Sequence, residues 1–424
     1  MILRKFKLTY LFWGILLIFL LLDFICVGVN GQYLFYGLPI DGSIAGFGFV
    51  ALCIVFAKVL SVLAKKFNKT QRSNQLNIGA FFEFVFLFFV LFFSFLSSFI
   101  FTVTVEFPKD FYDHGVSYWD LECSKQDFLL FKLADLIKFA SDSEVVRVLY
   151  VNVAVFLITT VILYFTIKKL MGLVAAIVSI VMFSALNLGG IGYESLSAFL
   201  IAVSILFIII PKWSAVNNKC SHQKVIFGLV LAGLISGFSI YVEISNIGLL
   251  LFALVVFSVY KDDPMVESSN RGKGIVYILT SIVGYYIGFN VFKTLGMWSN
   301  SYKFIDDISR TGKIIEAVFD SPSMIQFDML SGHPLVIAVA LTLGMVWCIR
   351  IYSIERDHGS YMIIVPFIAY VLYSIGIYNS GNCYGTINYF LAIFAAMGFV
   401  SLGKNNLNDP PKMVHRSTKN IIVS

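Results

Sequence analysis

The sequence predicts an all-α, polytopic integral membrane protein with about 12 transmembrane helices, within a range of 10–13. Three observations predict it. Of 424 residues, 58% are hydrophobic and 13% are charged, and the mean hydropathy is +0.85. A soluble domain carries about 25% charged residues. The apolar residues come in runs long enough for a bilayer core, which takes about 20 residues of helix to cross. The basic residues fall in alternate connections between those runs. A chain in lipid must satisfy its own backbone polar groups, so spans of this length and spacing are helices.

The runs lie at about 8–30, 43–63, 78–104, 146–167, 171–188, 193–210, 225–241, 245–260, 274–292, 334–350, 360–378 and 385–402. The fifth to eighth are short. No small-residue cleavage site follows the first, so it is expected to be retained as a helix rather than removed as a signal peptide. One membrane domain over 1–402 results. The tail 403–424 is polar, contains Pro410 and Pro411, and is expected to be flexible and cytoplasmic.

Sidedness follows from the lysines and arginines. With Arg4, Lys5 and Lys7 placed in the cytoplasm, every even-numbered connection also faces inward. Those connections hold Lys65, Lys66, Lys69 and Arg72, then Lys168 and Lys169, then Lys212, Lys219 and Lys224. Lys261, Arg271, Lys273, Arg350 and Arg356 continue the series, and Lys404, Lys412, Arg416 and Lys419 end it in the tail. In all, 21 of 31 basic residues lie on that side, and four outer connections hold none. The bacterial cytoplasmic membrane, with both termini inside, is the expected location. The acids do the reverse: 17 of 25 fall on the outer side, which points to acidic chemistry there or to binding of cations or polyols. A net charge of +6, dispersed over short connections, gives no patch for nucleic acid. The absence of a P-loop, a dinucleotide fingerprint and a nucleophile elbow argues against an ATP-driven or soluble-type enzyme.

Two outer, periplasmic loops are long, at about 105–145 and 293–333. The first contains the stretch 126–139. There Phe128, Phe131, Leu133, Leu136 and Ile137 recur near helical spacing among Asp127, Lys132, Asp135 and Lys138. An amphipathic helix lying in the membrane interface is predicted.

The densest local cluster precedes that helix. Asp110, Asp113, His114, Asp120 and Glu122 are interleaved with Phe111, Tyr112, Tyr118 and Trp119. Carboxylates act as general bases or hold divalent metals such as Mg or Mn, and aromatic faces stack on sugar rings. The same composition also suits a solvated loop with an aromatic belt. Glu194 sits among Gly189, Gly190 and Gly192 between two short spans, and Glu243 interrupts the apolar stretch 240–246. An acid near membrane depth is costly, which favours function over a snorkelling loop residue for both. Asp23 and Glu83 lie inside or near helix ends and suit structural pairing. In the second long loop, Lys303, Arg310 and Lys313, with His333 at its exit, form an outer cationic group able to hold a phosphate. A solvated face balanced by Asp306, Asp307 and Glu316 is the other reading. The six cysteines show no metal spacing. Cys123 and Cys383 both face outward and can either pair or stay as free thiols.

The order of these features resembles the GT-C superfamily of multi-spanning glycosyltransferases that use polyprenyl-phosphate-linked sugars. Four stretches carry the likeness: the acidic, aromatic loop and helix over 110–139; the short outer turn over 192–200, with its acid Glu194; the glycine-punctuated helix, break and helix over 228–248; and the aromatic lead into the last span over 378–389. The likeness covers about 78–402. In this chain the acidic loop follows the third span, where the family's normally follows the first.

The resemblance implies transfer of a sugar from a polyprenyl-phosphate donor, glucose being expected, to a periplasmic glycan such as lipopolysaccharide or its O-antigen. Bacterial O-antigen-modifying glucosyltransferases are the nearest type. It implies Asp113 as general base, with Asp110, Asp120 and Glu122 as neighbouring acids able to take that place. Glu194 and Asp110 would position sugar hydroxyls or a metal, and Lys303, Arg310 or Lys313 would stabilise the leaving phosphate. Glu243, His114, Tyr118, Trp119 and His333 complete the expected substrate-binding set. An O-antigen polymerase is the nearest rival, although its outer arginines would here be only Arg147 and Arg310. A lipid-linked glycan transporter or flippase is the rival from another class, and it calls for an inverted repeat that the sequence does not show.

Overall fold

A computed structural model describes residues 10–18, 48–60, 62–63, 78–104, 125–141, 144–187, 195–214, 222–251, 270–295, 334–350 and 384–402. Every regular element among them is helical. The α-helices are α1 (10–18), α2 (Gly48–Leu60), α3 (Ile78–Thr104), α4 (Lys125–Asp135), α5 (Glu144–Met171) and α6 (Leu173–Leu186). They continue with α7 (Ser195–Ser214), α8 (His222–Val242), α9 (Asn270–Thr294), α10 (Pro334–Arg350) and α11 (Tyr384–Leu402). Two 3₁₀ segments, Lys138–Ala140 and Ile244–Leu251, follow α4 and α8. Segments of α5, α8 and α9, at Val146–Lys169, Gln223–Val242 and Gly272–Thr294, are long and apolar enough to cross a membrane. Five shorter apolar helices accompany them among the described residues. Of the predicted runs, 360–378 lies outside the described residues, and of 245–260 only the 3₁₀ part is described.

α6 and α11 form the centre. Residues Ile180 to Leu186 of α6 are all buried, and so is every residue from Asn388 to Met397 of α11. A helix buried on every side has no polar stripe to show in its sequence. The outer helices behave differently. α3 leaves Phe81, Phe84, Phe88, Phe92 and Phe95 exposed, and α9 leaves Ile275, Leu279, Ile282 and Tyr286 exposed. Such apolar stripes suit lipid rather than water.

Contacts fix how the helices run. Gly172 alone separates α5 from α6; its φ of 97° lies in the left-handed region open to glycine, and the chain reverses there. Phe156 stacks on Phe183 across that hairpin. Tyr164 and Lys168 of α5 both reach Glu83 near the start of α3, while Ser94, further along α3, meets Ser184 at 2.9 Å. α3 therefore runs with α6 and against α5. Ser197 and Ser204 of α7 lie level with Ser239 and Ser236 of α8, so these two are antiparallel. Asn388 meets Leu186 and Asn187, and Tyr389 meets Phe183, which sets α11 against α6.

α8 and α9 meet along a line of glycines. Tyr277 and Thr280 lie against Gly233, Ser281 and Tyr285 against Gly237, and Tyr241 against Gly288. Numbers rise together along both helices, so the pair is parallel. The connection 243–269 therefore starts at one end of the pair and finishes at the other. Gly233 and Gly237 on α8, with Gly284 and Gly288 on α9, give each helix a small-residue seam at a spacing of four. A Cβ on Gly237 would sit 1.8 Å from the Ser281 carbonyl oxygen, so the two backbones touch there.

Candidate functional site

These directions bring several chain ends to one end of the bundle. They are the C-termini of α3, α6, α8 and α9, the N-termini of α7 and α11, and α4. The other end holds Gly172 and the Glu83–Lys168 ion pair, to which Tyr164 also donates.

α4 caps the first end. The sequence placed it in the interface along its apolar side. In the structure it packs on the bundle through Phe128, Leu130 and Ala134, which are buried. The α-helix stops at Asp135 and the chain tightens into 3₁₀ geometry, which shifts the phase of the later residues. Leu136 and Phe139 are consequently turned outward and exposed. Asp135 pairs with Lys138 at 3.5 Å and lies 3.9 Å from Arg147 at the start of α5, and Arg147 donates to the Ser141 carbonyl at 2.9 Å.

Beneath α4 lies an aromatic wall. Tyr241, the penultimate residue of α8, makes edge contacts with Tyr285 at 5.2 Å and Phe292 at 5.3 Å on α9. Phe128 meets Phe292 at 5.8 Å, and the Lys125 ammonium lies 4.1 Å from the centre of the Tyr241 ring. A cation over a ring face is held electrostatically. The absent side chain of Gly288 lets Tyr241 approach this closely.

Glu243 follows at the break, half-buried. Its N–H donates to the Ser239 carbonyl at 2.9 Å, the last bond of helical type in α8. Its own carbonyl accepts the Asn246 N–H at 3.0 Å. The chain then turns back beside α8. Asn246 sits level with Ser239, and the Leu249 carbonyl accepts the Tyr277 hydroxyl at 3.0 Å, with Ser236 and Ser204 next along that chain of hydroxyls.

Of the predicted site residues, the structure describes Glu243 alone. Asp110, Asp113, His114, Tyr118, Trp119, Asp120 and Glu122 lie outside the described residues, in the connection from α3 to α4. Glu194 lies just before α7, and Lys303, Arg310, Lys313 and His333 lie between α9 and α10; these too, with Cys123 and Cys383, are outside. What is described is where their anchoring helices end. Among the described residues, no three His, Cys, Asp or Glu side chains gather to hold a metal ion. No protein-family model, curated protein or solved structure is similar enough to the chain to match it.

The sequence reading missed Lys125, Tyr241 and Asn246 as members of this end. Tyr241 and Asn246 look like ordinary components of an apolar stretch. The available signal was their position on either side of an acid where the apolar run breaks.

Proposed function

We propose that the chain is a polytopic glycosyltransferase of GT-C type in the bacterial cytoplasmic membrane, with about 12 spans and both termini in the cytoplasm. It moves a sugar, glucose first among the candidates, from a polyprenyl-phosphate carrier to lipopolysaccharide or another periplasmic glycan. One observation carries this reading: the helix ends that anchor the acidic loop, Glu194 and Glu243 converge at one end of the bundle. There the Lys125 ammonium lies over the Tyr241 ring, two residues before Glu243. The acidic and aromatic composition of 107–122 adds to it.

In this reading the Asp113 carboxylate takes the proton of an acceptor hydroxyl. The acceptor oxygen attacks the anomeric carbon, the bond from that carbon to the carrier phosphate breaks, and the phosphate leaves with the electron pair. Direct displacement inverts the anomeric centre. Lys303, Arg310 or Lys313 stabilises the charge that develops on the phosphate. Asp110 and Glu194 orient sugar hydroxyls.

The test is transfer of radiolabelled sugar from polyprenyl-phosphate glucose to lipopolysaccharide by the purified chain. Wild type is expected to label the glycan, and Asp113→Asn to lose at least about a hundredfold in rate, the lower range for removing a general base. Labelling by both proteins would move the base to Asp110, Asp120 or Glu122. No transfer from any lipid-linked donor would overturn the transferase reading in favour of a polymerase or a flippase.

A further inference from the structure

Asn246 bridges the break at the end of α8. Asn246 is fully buried, as is Ser239, and Ser197 is nearly so. The Asn246 amide nitrogen lies 2.7 Å from Ser197 Oγ, 2.7 Å from Ser239 Oγ and 3.2 Å from the Ser239 carbonyl. It thus spans two helices: α7, whose first turn carries Ser197, and α8, whose last turn carries Ser239. Its backbone N–H closes the turn onto the Glu243 carbonyl at 3.0 Å. Ser239 is used twice over, because its carbonyl also accepts the Glu243 N–H at 2.9 Å. Among the described residues the buried Asn246 Oδ1 has no hydrogen-bond partner. A buried amide with an unmet acceptor is unfavourable for folding alone. Leucine or alanine would suit an apolar return segment better. An arrangement that is unfavourable locally and yet fixes the geometry around an acid is the pattern of a functional constraint.

We propose that Asn246 is a positioning residue: it clamps the start of α7 to the end of α8 and so sets where Glu243 stands. Ser197 is three residues after Glu194, and Asn246 is three residues after Glu243. One amide therefore links the two segments that carry the outer acids. This assignment rests on the transferase reading for its catalytic consequence, but the clamp itself does not.

Two readouts test it in the full-length, detergent-purified protein. The first is geometric and needs no activity. Labelling of Glu243→Cys by a polar maleimide, read by peptide mass spectrometry, is compared with and without Asn246→Ala. The clamp predicts a change in labelling rate of at least about tenfold, since freeing the turn lets position 243 move. An unchanged rate overturns the proposal. The second is sugar transfer by Asn246→Ala, Glu243→Gln and the double variant. A residue acting through Glu243 predicts that the double variant is no slower than Glu243→Gln, with kcat falling and the donor KM within about threefold. Multiplied losses overturn the positioning role. If wild type transfers no sugar while labelling still changes, the clamp stands and only the transferase reading fails.

Discussion

Glu83 sits near the start of α3 and receives the Tyr164 hydroxyl and the Lys168 ammonium from one side of α5. The three groups satisfy one another where α3 meets the Gly172 hairpin. From the sequence alone Glu83 suited structural pairing but had no named partner, and Lys168 was read only as an inner-side charge. Nothing in a linear pattern pairs residues 85 positions apart. Glu83→Gln is expected to lower stability by about 1–2 kcal/mol, because a charged hydrogen bond is lost while Lys168 stays partly solvated. Lys168→Gln should cost a similar amount, and the double variant less than the sum. Thermal unfolding of the detergent-solubilised protein measures all three, and additive losses would show that the pair is not coupled. Asn246 shows the same limit. Its identity was plain in the sequence, but its role depends on Ser197, which lies 49 residues earlier.

At the scale of elements, helix positions were legible. The runs at 78–104, 334–350 and 385–402 match α3, α10 and α11 to within a residue, and the run at 225–241 lies within α8. Length and hydropathy set those bounds, because each helix answers to its solvent on its own. Which side of a helix meets which neighbour was not legible. α4 illustrates this: its helix was foreseen, but its orientation followed from burying Phe128, Leu130 and Ala134 on the bundle. The α8–α9 seam is the other case. The glycines were visible, but their partners were not. Gly237→Ala would place a Cβ 1.8 Å from the Ser281 carbonyl oxygen and 2.6 Å from the Tyr285 nitrogen, both backbone atoms that cannot swing aside. A loss of about 3 kcal/mol is expected, the upper end of ordinary overpacking, with poor recovery of monodisperse protein. Gly272→Ala, with open space at its Cβ, should be neutral or stabilising by up to about 1 kcal/mol. Equal effects of the two changes in thermal unfolding would count against a close-packed seam.

For the whole molecule, α5 runs the length of the bundle and places Ser141 and Gly172 at opposite ends. Alkaline phosphatase fused after Ser141 is therefore expected to be active in the periplasm, and the same enzyme fused after Gly172 inactive. A fluorescent protein at the C-terminus should fluoresce in the cytoplasm. Activity at both fusion points would overturn the proposed membrane orientation. The sequence by itself determined that the chain is helical and rich in membrane-length apolar segments, and where most helices begin and end. Those properties follow from how each segment partitions between water and lipid, one segment at a time. Only the tertiary structure decided that α6 and α11 are central, that α8 and α9 run in parallel, that Lys125 lies over Tyr241, and that Asn246 ties α7 to α8. Those depend on the fit of surfaces far apart in sequence. In lipid, helices associate through close packing and a few buried hydrogen bonds, which composition and hydropathy do not record.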